Sequence, residues 1–140
     1  MRHSVAVRHA ALAAVLALCL LLTACRASSP GAVRVLVDGR PWQDPPSAGK
    51  GGAQVYITVD GEPVATLPFG EAHAVAVRLP GGGENTVRLT GESVYMEHAD
   101  CENQDCVDMG EITLENIEMR VMGGFIICLP HKLSVEVRVP

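Results

Sequence analysis

From Gln54 to the C-terminus, short stretches of alternating apolar and polar residues are cut again and again by turn formers, and this restricts the chain to a small all-β fold. The last stretch is the clearest. Leu133, Val135, Val137 and Val139 fall on one face, with Ser134, Glu136 and Arg138 on the other, as in a half-buried strand. Earlier strands are expected at residues 55–59, 64–69, 74–79, 86–90 and 94–98, and later ones at 118–122 and 125–129. Residues 33–41 and 55–63 share the pattern V-x-[VI]-x-V-D-G-x-P. Each copy reads as a strand closed by Asp-Gly, a hairpin signal because both residues tolerate positive φ. Seven to eight short strands, with no helical stripe beyond the N-terminal segment, predict a single-domain β-sandwich or barrel-like fold.

The N-terminal segment obeys a different rule. Arg2 and Arg8 precede an unbroken apolar run from Ala10 to Leu22. Such a run is shorter than the roughly 20 residues of a membrane-crossing helix and suits a signal-peptide core. It ends in Leu22-Thr23-Ala24-Cys25, which resembles the lipobox of bacterial lipoproteins. That resemblance implies cleavage after residue 24, a diacylglyceryl group on the Cys25 sulfur, and anchoring on the extracytoplasmic side of a bacterial cell membrane. Acyl chains hold a protein to a bilayer by about 0.8 kcal/mol per buried methylene. The expected organisation is a signal peptide at 1–24, a tether with one extra strand at 25–52, and the β domain at 53–140.

Without residues 1–24 the chain keeps nine Lys and Arg against sixteen Asp and Glu, a net charge of −7. Such a surface repels phosphate backbones, so nucleic acid is not an expected partner. Nine acids and no Lys or Arg lie between Glu92 and Glu118. Of these, Glu97, Asp100, Glu102, Asp105, Asp108 and Glu111 are the candidate face for a basic partner, weighed against a merely solvated edge. The segment lacks the alternating oxygen ligands of a calcium loop.

The segment Asp100-Cys101-Glu-Asn-Gln-Asp-Cys106-Val-Asp-Met-Gly110, followed by Ile126-Ile127-Cys128-Leu129-Pro130-His131-Lys132-Leu133, resembles the NusG domain II family. That family carries D-C-P-x-x-x-C-V-x-x-G, a spacer near twenty residues, and I-V-C-L-P-[NH]-[KR]-L before a final strand. The resemblance covers about residues 53–139 and implies a small all-β domain. Glu102 stands where the family usually has proline, and the family often has Asn in place of His131. The transcription factor that gives the family its name has further domains not visible here, so a role in transcription does not carry over.

With Cys19 removed and Cys25 acylated, Cys101, Cys106 and Cys128 remain. Outside the cytoplasm one structural disulfide and a leftover thiol are expected, worth about 2–4 kcal/mol, with the pairing open. The alternatives are a zinc site formed by Cys101, Cys106, Cys128 and His131, or a redox-active pair. His98 alternates with Val94 and Met96 and is expected to face the core, and Met109, Met119 and Met122 to fill it. No G-x-S-x-G and no phosphate loop is present. The chain is therefore expected to be a non-catalytic module without cofactor, docking on another envelope protein. The runner-up is an accessory in envelope electron transfer or metal binding.

Overall fold

The computed structural model describes residues 31–43 and 52–140. Among the described residues ten strands form two antiparallel sheets, the all-β class that the alternating pattern predicts, with more strands than the seven to eight expected. The chain runs through β1 (Arg34–Val37), β2 (Arg40–Pro41), β3 (Gln54–Val59), β4 (Glu62–Pro68), β5 (Ala72–Arg78), β6 (Glu84–Thr90) and β7 (Ser93–Ala99). It continues through the four-residue helix α1 (Asp105–Asp108), β8 (Ile112–Thr113), β9 (Phe125–Cys128) and β10 (Leu133–Arg138). The larger sheet has the order β2-β1-β5-β6-β7-β8, the smaller β4-β3-β10-β9.

Both Asp-Gly pairs make the turns expected of them. Asp38 and Gly39 have φ of 51° and 78°, Asp60 and Gly61 of 53° and 84°. Val37 faces Arg40 and Val59 faces Glu62 across two-residue loops. Two consecutive positive φ angles match the right-handed twist of the flanking strands. Pro63 lies in β4, an edge strand, where Ile57 pairs with Ala65 and Thr58 with Pro63. The register shift there leaves Val64 over, a place that tolerates a residue without an N–H.

The inward residues of both sheets form one core. Val75, Val77, Val87, Leu89, Val94 and Met96 come from the larger sheet, and Val55, Ile57, Leu67, Ile126, Leu133 and Val135 from the smaller. All are at most 1% exposed, so truncating a buried Leu or Ile here to Ala costs about 2–5 kcal/mol.

Three expectations are corrected. Residues 118–122 are not a strand but part of a run of turns between β8 and β9. Met119 and Met122 are exposed there at 79% and 45%, while Met109 does pack against the core. His98 is exposed, not inward. A register shift pairs Thr86 with His98 but Val87 with Met96, which leaves Glu97 as the extra residue and turns both Glu97 and His98 outward. Within residues 25–52, where one extra strand is expected, β1 pairs with β5 over four residues and lies in the larger sheet. Cys25 and the expected signal segment lie outside the described residues, as does most of the stretch from Asp44 to Gly52.

The β1–β2 hairpin is tied to β5 by Asp38. Its backbone N–H donates to the Ala74 carbonyl at 2.8 Å, and its Oδ1 accepts the Ala74 N–H at 2.9 Å. Its Oδ2 lies 2.8 Å from His73 Nδ1, while Glu71 Oε2 lies 3.2 Å from Nε2. The Ala74 N–H and then His73 hold the Asp38 carboxyl below its usual range. Partial burial opposes charge on His73, but its two carboxylate partners prevail and raise its pKa above the ordinary value. A raised pKa means this ring stabilises the fold fully below pH 6.5 and loses that contribution as pH climbs through the folded value. Proton NMR titration should place His73 above 6.5, and Asp38→Asn should bring it down. An unchanged His73 titration in that variant would refute the coupling.

Candidate functional site

Three elements bring the three cysteines together. Cys101 follows β7, Cys106 lies on α1, and Cys128 ends β9. Gln104 shapes the connection. It adopts the left-handed conformation at φ 54°, and its carbonyl accepts N–H groups from Val107 and Asp108, starting α1. Its side-chain amide donates to the carbonyls of Ala99 and Cys101, which folds the loop back onto the end of β7. Cys106 thus points inward although Asp105 and Asp108 on either side are exposed.

The Cys101 sulfur lies 3.8 Å from that of Cys106 and 3.7 Å from that of Cys128. All three sulfurs fall within 4.8 Å of one another. The residues are 6%, 1% and 1% exposed. A disulfide requires about 2.05 Å between sulfurs. All three are free thiols, so the expected disulfide is not found. Instead of one bonded pair and a leftover, the structure shows three thiols in mutual contact with Cys101 shared. Burial, followed by the neighbouring Cys128 and Cys101 sulfurs, pushes the Cys106 thiol up to about 12. At neutral pH it is a protonated, weakly nucleophilic group.

His131 does not join them. Its Nδ1 lies 2.6 Å from Oδ1 of the fully buried Asn85 on β6, and its Nε2 lies 3.3 Å from an Asp100 carboxylate oxygen. The side chain links the turn after β9, in one sheet, to β6 in the other. Gly83 makes room for it, since a Cβ there would lie 2.7 Å from His131 Nε2. The last glycine of Pro80-Gly-Gly-Gly83 is therefore a packing requirement. Sequence reasoning missed this link because its partners stand 46 positions apart.

The acidic candidates are not one uniform face. Glu97 accepts two hydrogen bonds from Arg88 Nη2, at 2.7 and 2.8 Å, across β6 and β7. Asp100 Oδ1 accepts the Glu84 N–H at 2.8 Å. Glu102, Asp105, Asp108 and Glu111 are exposed. Asp105 accepts a hydrogen bond from Asn103, and the Glu111 carbonyl accepts one from Arg120.

The turns between β8 and β9 were missed as a site. Asn116 and Thr113 exchange backbone–side-chain hydrogen bonds at 2.9 and 3.1 Å. Arg120 reaches the Glu111 carbonyl at 2.6 Å and the Gly123 carbonyl at 3.2 Å. Ile117 packs on the core, and a Cβ on Gly124 would meet the Val137 carbonyl oxygen at 2.5 Å. The loop is thus anchored at both ends, yet it presents Leu114, Met119, Val121 and Met122 to solvent, Val121 completely. Isoleucine and methionine in a polar, turn-rich stretch were the available signal. A groove of about 790 Å³, which Leu114 also lines, lies among Ala53, Gln54, Phe69, Glu71 and Glu92, and none of the three cysteines lines it.

The fold and site together define a small antiparallel two-sheet β domain with a buried cluster of three thiols beside an anchored apolar loop. The chain belongs to the NusG domain II family, whose sequence profile matches residues 11–139. A crystal structure of a DUF1312 family protein from Enterococcus faecalis is similar to it at 21% identity and a TM-score of 0.54, covering 62% of this chain and 97% of that one. The Lin0431 protein from Listeria innocua is similar at 22% identity and a TM-score of 0.53, covering 63% of this chain and 97% of that one. At these identities the likeness concerns the fold. No curated protein matches the chain.

Two outcomes follow from the site. Unfolding in denaturant should show stability unaffected by Cys106 ionisation below pH 9. From there toward pH 12 the unfolded thiol ionises while the folded one does not, and this group lowers stability by about 1.4 kcal/mol per pH unit. Cys106→Ala should lack that part of the slope; equal slopes would refute it. His131→Ala should cost about 1–3 kcal/mol by leaving Asn85 without its partner, measured by the same denaturant midpoints.

Proposed function

We propose that this chain is a lipid-anchored envelope lipoprotein whose β domain is a non-catalytic module that docks on another envelope protein. One observation carries the reading: the loop 114–124 is tied down by Asn116 and Arg120 yet exposes Leu114, Met119, Val121 and Met122. Apolar side chains held in water on an ordered loop gain about 25 cal/mol per Å² on being covered. Methionine suits such a surface because its thioether adapts to a partner's shape. The flanking Glu111, Glu115 and Glu118 are exposed acids that disfavour anionic lipid headgroups and favour a partner with basic residues around an apolar pocket. The Leu22-Thr23-Ala24-Cys25 motif supports the anchor, which would hold the domain at the membrane surface where such a partner resides.

A photo-reactive residue at position 121, in the full chain in membranes, should crosslink to one defined protein. Met119→Asp should reduce that crosslink about tenfold without changing the denaturation midpoint, and raised salt should weaken it further. Cys25→Ser should move the chain out of the membrane fraction. Crosslinking that is indifferent to Met119→Asp would sink the docking surface, and a Cys25→Ser chain that stays in the membrane fraction would sink the anchor.

A further inference from the structure

The loop and the groove leave one cluster without a purpose. Three thiols from three separate elements converge, and hydrophobic packing alone does not require sulfur at all three positions.

Three features bear on what would fill the space between the sulfurs. The first is spacing. A metal–sulfur bond of about 2.3 Å places the sulfurs of a planar three-coordinate site about 4.0 Å apart. The distances from Cys101 are 3.7 and 3.8 Å, and all three lie within 4.8 Å, so closing on an ion takes shifts of a few tenths of an ångström. The second is ligand type. The set is all sulfur, and soft thiolates select Cu(I) or zinc over harder ions. The third is coordination number. Among the described residues no fourth His, Cys, Asp or Glu joins the group, and both His131 nitrogens face Asn85 and Asp100 instead. The cysteines are at most 6% exposed, which leaves little room for water as a fourth ligand. Structural zinc sites are almost always tetrahedral. Cu(I) is content with three sulfurs.

We infer that Cys101, Cys106 and Cys128 form a buried three-sulfur site for Cu(I), excluding His131. Binding is ligand exchange without electron transfer. A thiol that ligates as thiolate releases its proton to solvent as the copper–sulfur bond forms, and the metal remains Cu(I). The site lies at the junction of β7, α1 and β9, so an ion bound there would tie the loop 99–108 to the smaller sheet.

The test uses the reduced full chain, kept anaerobic and titrated with Cu(I) in competition with a bicinchoninate chelator. One Cu(I) should stay with each chain through gel filtration, with a near-ultraviolet copper–thiolate absorption and protons released. X-ray absorption should show three sulfur neighbours. Cys106→Ser and Cys128→Ser should each weaken retention at least about a hundredfold, whereas His131→Ala and Cys25→Ser, which spare the three sulfurs, should retain the ion. The X-ray absorption spectrum of the unaltered chain decides the matter if the serine variants fail to fold. Loss of all copper to the chelator from folded, reduced chain would overturn the inference. So would nitrogen or oxygen neighbours, loss of copper in Cys25→Ser, or retention of zinc in place of Cu(I).

Discussion

Strand β10 holds the fold together. It pairs with β3 over six residues and with β9 over four, so it joins the start of the domain to its end within one sheet. Its alternate residues Leu133, Val135 and Val137 enter the core, at 0%, 0% and 4% exposed. Nothing local in the sequence brings β3 to β10. The burial of both inward faces must offset the entropy of closing that long loop. Once β10 is in place, β9 has one register available, because a slip of one residue would turn Ile126 and Cys128 into solvent. The position of the Cys128 sulfur therefore follows from core packing two strands away.

The elements that read easily from the sequence are those whose information is local. The two Asp-Gly hairpins and the alternation in β3 to β7 and β10 are written within a few residues of each strand. Failures came where distant groups decide. The outward turn of His98 depends on how β7 registers against β6, which alternation within β7 cannot reveal. Residues 118–122 look strand-like by composition, but no neighbouring strand pairs with them, and Arg120 satisfies the Glu111 and Gly123 carbonyls instead. The four-residue α1 is too short for any periodic signal and rests on the left-handed Gln104.

The candidate site divides in the same way. That the three cysteines belong together was legible from their shared resemblance to one family motif, and they do converge. The inclusion of His131 was not, since its proximity in sequence to Cys128 says nothing of direction. The turn after β9 reverses the chain, with Lys132 at φ 50°, and the imidazole meets Asn85 rather than the sulfurs. The buried amide outcompetes a ligand role because its oxygen would otherwise lack a partner in a dry interior, a cost of about 1–3 kcal/mol.

The thiol cluster and the apolar loop share a single short strand. Phe125 opens β9 directly after Gly124, whose carbonyl accepts the Val137 N–H at 2.8 Å, and Cys128 closes it three residues later. Between them the Ile127 N–H meets the Met109 sulfur at 3.3 Å, so the segment following α1 also leans on this strand. A four-residue strand fixed at both ends has little freedom to rearrange one end alone. Anything that draws the three sulfurs closer pulls on the strand that seats the loop, and a partner that grips the loop braces the strand that carries Cys128. The two surfaces are chemically separate, one soft and buried, the other apolar and exposed, but they are mechanically one unit.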